Sequence, residues 1–373
     1  MPTRPAMSDP NCATMAMRPR CEVVIAGYNM WIRQLVSGFY DLARQGAIDL
    51  DLRVGEVPLG SSQFVTASIE GVRVVYDLHD GYNFLLRSAD PNDAFDGLLD
   101  GCDLWFKSTC IASRHEGLRN RGKIRPLGLM SIFLGSHANP YDCGWRPFNP
   151  RQIAENLIGA TPLGANLTRH NSRHMWPEHY EGAPSPGDGS VLFVARVWDP
   201  QAPEVENDEV RAERELINKV RSGIVREARA AFGPRFVGGI QRNPFAEKFC
   251  PELIFDGPGA RNRWPYLQAI KRCSIGIASA GLHGTAGSKM SEYIAASRAV
   301  VAEHINVEVP GGFSAERNYL EAATAAQCVE ACDELLSDPA ALLAMSTANH
   351  DYYESHVRPS AFVWRTVQTA IER

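Results

Sequence analysis

Residues 274–289 read SIGIASAGLHGTAGSK. The run over 274–278 is short and apolar, bounded by turn residues, which predicts a buried strand. From 288 to 296 apolar residues recur at helical spacing, with Ser288 as the expected capping residue. Between strand and helix stand Gly281, Gly284 and Gly287, which let main chain approach a ligand closely. Free N–H groups at a helix start, with a dipole end of about half a positive charge, make an anion site. Gly281, His283, Gly284, Thr285, Gly287, Ser288 and Lys289 are therefore the candidates to surround a diphosphate. The GxxxxGK[ST] order of a P-loop is missing, and the dinucleotide fingerprint belongs after a domain's first strand, where Gly27 stands alone. Hydride transfer on a nicotinamide is set aside on that ground.

Outward from this stretch, strands and helices alternate. Apolar runs over 191–197, 235–237, 253–255 and 299–302 read as strands, with helices over 210–231 and 264–271. Two further helices are expected to close the chain, broken at Pro359. The first half alternates likewise, with strands at 22–26, 49–54 and 104–107 and a helix at 31–44. Runs at 64–69 and 72–76 flank Glu70-Gly71 as a hairpin. Near-continuous apolar strands argue parallel sheets covered on both faces. A Pro/Gly-rich stretch, APSPGDGS over 183–190, separates the halves. The expectation is α/β: two doubly wound Rossmann-like domains facing a cleft. Residues 1–20 form a flexible tail, 21–185 the first domain, 186–355 the second, and 356–373 a closing helix.

The chain has 373 residues, 45% of them hydrophobic and 22% charged, which suits two soluble domains at roughly 100–200 residues each. Its 38 Lys and Arg fall short of its 43 Asp and Glu, so nucleic acid is a poor partner. No apolar run approaches the roughly 20 residues needed to span a bilayer. The absence of an export signal and the unpaired spacing of nine cysteines predict reduced thiols and a cytoplasmic location.

In open parallel sheets ligands bind beyond the carboxyl ends of strands. Arg196 stands at one such exit, where a guanidinium can clamp a diphosphate bidentately. Glu292 lies one helical turn past Ser288 and suits a pair of ribose hydroxyls, or simply a first-turn acid. In the first half, VRVVYDLHDGYN (72–83) delivers Asp77, His79 and Asp80 into one turn. A base with neighbours to orient it is what proton abstraction from a hydroxyl needs. No second His/Cys cluster has ligand spacing, so no metal is expected. Asp49-Leu50-Asp51 mimics a chelating pair but falls within an expected strand, and Lys107 is an outside candidate for a phosphate or acceptor contact.

FVARVWDP (193–200), GLHGTAGSKMSEYIAASRAVVAE (281–303) and NYLEAATAAQCVEACDELLSD (318–338) resemble the nucleotide-binding half of GT-B-fold glycosyltransferases, especially the group-1 superfamily. The resemblance covers about 190–373 and is weak before that. It implies a hexosyltransferase-type enzyme with a nucleotide-sugar donor, UDP- or GDP-linked, on the second domain and no resident cofactor. The acceptor, a glycan, a lipid-linked glycan or a small molecule, would sit on the first domain, and the last helix would cross back to it. By position, Glu292 matches the ribose-binding acid, Arg196 the arginine at the donor phosphates, and 281–289 the diphosphate loop. Two departures stand out. The first glutamate of the retaining members' pair would fall at Gly284, and the lysine after the strand-end arginine is replaced by Asp199-Pro200-Gln201. Retention against inversion is thus open. So are an epimerase or phosphorylase on the same scaffold, and a catalytically silent module that binds a nucleotide sugar or a protein. A lipid-linked acceptor would bring peripheral membrane contact, for which RHEGLRNRGKIR (114–125) is a local basic cluster, more simply read as a solvated helix and loop.

Overall fold

The computed structural model describes residues 18–85, 88–135, 175–205, 207–257, 259–260 and 263–373. Residues 1–17 of the expected tail lie outside them. Strand β1 (Arg20–Ile25) starts two residues before the apolar run, and helix α1 (Arg33–Arg44) follows. Then come β2 (Asp49–Val54), β3 (Phe64–Ile69), β4 (Val72–Asp77), α2 (Pro91–Asp100), β5 (Leu104–Lys107) and β6 (Ile124–Pro126). The β3–β4 turn is built by Glu70 and Gly71, both left-handed at φ of +48° and +84°, the signature of a type I′ hairpin.

The sheet order is β2-β1-β3-β4-β5-β6. The sheet is mostly parallel, as expected, and the hairpin read at Glu70-Gly71 accounts for its reversed strand. Strand β3 runs antiparallel to both β1 and β4, because a two-residue hairpin reverses the chain without a crossover. The remaining pairs are parallel.

The second sheet comprises β7 (Val191–Ala195), β8 (Phe236–Ile240), β9 (Ile275–Ala278), β10 (Ala299–Ala302) and β11 (Leu320–Glu321). Its order is β11-β10-β9-β7-β8, parallel throughout. The expected strand at 253–255 shrinks to one bridge, Ile240 to Ile254, since Pro251 opens a 3₁₀ turn there. Helices α3 (Asp208–Phe232) and α6 (Ala325–Ser337) cover one face; α4 (Arg263–Arg272) and α5 (Ser288–Ala295) cover the other. Two such α/β units about a cleft make the GT-B arrangement. Among the described residues no helix is long and apolar enough to cross a membrane.

Three helices, not two, close the chain. Asp338 accepts from the N–H of Ala340 and Ala341 and starts α7 (Pro339–Tyr352) directly after α6. Past a π-turn over Tyr353–Val357, α8 (Pro359–Ile371) returns to the first domain. There Phe362, Val363 and Val367 join the core of β1, β3, β4 and α1. The Thr366 hydroxyl meets that of Tyr76 at 2.8 Å. The helices approach closely at Gly38, where a Cβ would lie 2.0 Å from the Pro359 carbonyl oxygen and 2.4 Å from Val363 Cγ2. Gly38→Ala should therefore cost about 1–3 kcal/mol by overpacking, more than the roughly 1 kcal/mol that alanine gains in a helix interior. Urea denaturation checks this, and an unshifted midpoint would show that the helices part freely.

Candidate active site

The second domain's strand order places a topological switch point between β7 and β9. The chain leaves β7 toward β8 on one side and leaves β9 toward β10 on the other, and a crevice opens between the two exits. Arg196 follows β7 and Ser279 follows β9. Buried Arg221 of α3 ties the two exits together. Its guanidinium donates to the Arg196 carbonyl, to Ser279 Oγ at 2.9 Å and to the Ala280 carbonyl at 2.7 Å. Burial lowers its pKa to about 10, against the raising pull of Glu303, so it stays charged.

Beyond β9 the loop folds on itself. The Gly281 N–H donates to the Thr285 carbonyl at 2.8 Å, and the Thr285 N–H to the Leu282 carbonyl at 3.3 Å. A Cβ on Gly281 would sit 2.1 Å from Thr285 Oγ1, so the close approach demands glycine. Those two amides are thus spent inside the loop. The anion-seeking amides are instead the first ones of α5. Gly287, not Ser288, is its N-cap and brings no side-chain acceptor, because Ser288 is already in the helix. The first-turn N–H groups at Ser288 and Lys289 have no partner within the helix.

Behind them lies a buried charge cluster. Glu292, 1% exposed, accepts from Arg263 at 2.8 Å through Oε1. Its Oε2 accepts from the Tyr266 hydroxyl at 2.8 Å and from Lys289 Nζ at 3.0 Å. Burial alone would raise this carboxyl, but Lys289 and Arg263 hold it at about 2.

Across the cleft, β4 ends in the acidic turn. Asp77 is fully buried. Its Oδ1 accepts from the His79 main chain at 3.0 Å and lies 2.9 Å from His79 Nδ1. Its Oδ2 lies 3.3 Å from Lys107 Nζ as an ion pair, without the geometry of a hydrogen bond. Lys107, also fully buried, donates to the His79 carbonyl at 2.8 Å. The outside candidate thus braces the turn from behind and does not face a ligand. His79 Nε2 is 2.8 Å from Ser61 Oγ, so both ring nitrogens have partners. Asp80 faces the cleft. Burial pushes its carboxyl above the usual range, against the lowering pull of His283, Lys107 and His79.

The cleft between the domains measures about 450 Å³ and is lined by Asp80 from one side and by Arg196, Gly281, Thr285, Gly287, Ser288, Lys289 and Glu292 from the other. Asp77, His79, His283 and Gly284 do not line it. His283 instead bridges the domains, with Nε2 3.0 Å from Asn83 Nδ2 and its Cβ 2.7 Å from where a Cβ on Gly81 would lie. Gly284, left-handed at φ +72°, follows His283 in the loop's turn. Among the described residues four cationic side chains line the cleft, Arg196, Arg221, Arg263 and Lys289, against Asp80 and Glu292. That excess favours an anion.

No family model matches the chain, and no curated protein does. Solved structures do. The chain is similar to a glycosyltransferase from Rickettsia africae at 12% identity, over 91% of this chain and 81% of that one, with a TM-score of 0.43. It is similar to Anabaena HepE, solved in complex with UDP-glucose, at 9% identity over 95% and 100% of the two chains, with a TM-score of 0.42. For S. aureus MnaA, in a co-structure with UDP, the figures are 11%, 94%, 95% and 0.40.

Several cleft residues escaped the sequence reading. Arg221 reads there as part of a charged helix face. Arg263 carries no motif, and neither does Tyr266, buried behind the cleft against Glu292. Trp198, whose ring lies 4.6 Å from the exposed Arg196 guanidinium, sits in a stretch read for its arginine alone. Exposed Met30 and Trp31 at the cleft edge precede α1, where two large apolar side chains next to a strand exit were the available signal. The basic cluster over 114–125 is two 3₁₀ turns and a loop running into β6, and its Arg119 pairs with Asp93 and Asp96 of α2.

Proposed function

We propose that this protein is a glycosyltransferase that moves a sugar from a UDP- or GDP-linked donor to a hydroxyl of a glycan, lipid-linked or small-molecule acceptor. One observation carries the reading: a desolvated carboxylate, Asp80, faces the amide-and-cation crevice of the second domain across a single cleft. The donor diphosphate would lie over the start of α5, between Arg196 and Lys289. In an inverting displacement the acceptor oxygen bonds to the anomeric carbon while the carbon–oxygen bond to phosphate breaks. The acceptor proton passes to Asp80, and the electron pair leaves on the diphosphate. Preorganised cations and amides stabilise that charge, which makes a metal at the diphosphate dispensable. His79 is set aside for that role, since Asp77 and Ser61 hold its nitrogens and it does not line the cleft. Glu292 would reach a ribose only by sharing oxygens already held by Arg263, Tyr266 and Lys289.

Thermal-shift screening against UDP, GDP, ADP, CMP and dTDP tests the donor half. A matching diphosphate at about a hundredfold excess over its Kd should add roughly 2.7 kcal/mol and raise Tm by several degrees. No shift with any of the five would end the reading. Turnover of donor without acceptor would mark an epimerase, phosphate-dependent turnover a phosphorylase, and binding without transfer a silent module.

A further inference from the structure

We propose that Cys110, His115 and Glu308 form a zinc-type metal site that clasps the two domains beside the cleft. One ligand atom from each lies within 4.8 Å of the others. Cys110 and His115 follow β5 in the first domain, and Glu308 follows β10 in the second. Cys110 Sγ is 3.2 Å from Glu308 Oε2. Ligand atoms at about 2.0–2.3 Å from a tetrahedral zinc sit roughly 3.3–3.7 Å apart, so this pair already spans one edge of such a site.

The surroundings are built. The Glu308 N–H donates to the Cys110 carbonyl at 2.7 Å, which registers the two segments against each other. His115 Nε2 lies 2.7 Å from the Tyr82 hydroxyl, which also accepts from the Ile111 N–H at 3.2 Å. An oriented outer partner of this kind fixes a ligating imidazole. Cys110 and His115 are buried while Glu308 is exposed, leaving a fourth position open to water. A thiolate, an imidazole and a carboxylate together select a borderline-soft divalent ion over magnesium or calcium. Lys107, the nearby cation, is neutralised by Asp77.

Thr109 and Val307, next to two of the ligands, line the cleft. The metal would therefore hold the cleft's rim and take no part in the transfer. Ligand spacing in the sequence could not reveal it, because Cys110 and Glu308 are 198 residues apart. The inference does not depend on the glycosyltransferase reading.

Cobalt titration of the chelator-treated full chain tests it. One equivalent should bind with a thiolate-to-cobalt charge-transfer band, and zinc should displace it. Cys110→Ser should abolish the band. Glu308→Gln, at an exposed position where folding is safe, should weaken cobalt binding by about tenfold or more with the metal-free Tm unchanged. A cobalt spectrum without a thiolate band, or affinity untouched by Glu308→Gln, would overturn the site and leave Cys110 and Glu308 as a plain hydrogen bond.

Discussion

Asp80→Asn is expected to lower turnover by about 10²–10⁴-fold, the usual cost of losing a general base, while nucleotide affinity stays near wild type. The asymmetry follows from position. Asp80 comes from the first domain and faces the cleft, whereas Arg196, Lys289 and the α5 amides that would hold the diphosphate belong to the second. Steady-state transfer kinetics and nucleotide binding on the same variant separate the two effects. The pH dependence sharpens the test. A base works deprotonated, so kcat/KM should fall as pH drops through the Asp80 pKa. Burial holds that pKa above the ordinary 3.8, and the acid limb should lie correspondingly high. In Asp80→Asn the limb should vanish. Unaltered turnover would remove Asp80 from the mechanism.

The second large effect is on stability. Glu292→Gln leaves Arg263 and Lys289 charged at the cleft wall with no buried carboxylate to pair with, a change worth on the order of 3 kcal/mol. The linkage has a definite sign. The folded-state pKa of about 2 lies below the ordinary 4.5, so the contribution is whole above about pH 4.5 and disappears as pH falls toward 2. Urea midpoints measured across that window should converge for wild type and variant at the acid end and diverge at neutral pH. Parallel curves would mean that the cluster contributes nothing through its charge.

What could be read in advance follows from the range of the forces involved. The 274–289 stretch shows its strand, its glycine turn and its helix because each signal acts over a few residues. An apolar run needs only a sheet to enter, and Glu70-Gly71 needs only a left-handed turn. Where a neighbouring signal interfered, the reading slipped: Ser288 looks like a cap until the backbone puts Gly287 there. Asp338 began a third closing helix that apolar spacing alone ran past.

Lys107 shows the other kind of limit. At the end of a strand it has the sequence of a ligand contact, yet packing buries it against Asp77 and the His79 carbonyl. The acidic turn looks like three equivalent candidates, and only the fold assigns two of them to bracing and Asp80 to the cleft.

By itself, then, the sequence determined the α/β class, most of the sheet-forming runs and the glycine-rich strand–loop–helix over 274–289, all set by local periodicity and backbone preference. Tertiary structure alone decided which charges meet. Arg221 joins two strand exits, Arg263 reaches Glu292, and Glu308 meets Cys110 because burying the two sheets' apolar faces and docking α8 on α1 fixes where distant segments lie. Burial then strengthens the Arg221 and Glu292 pairings by removing the water that would otherwise screen them.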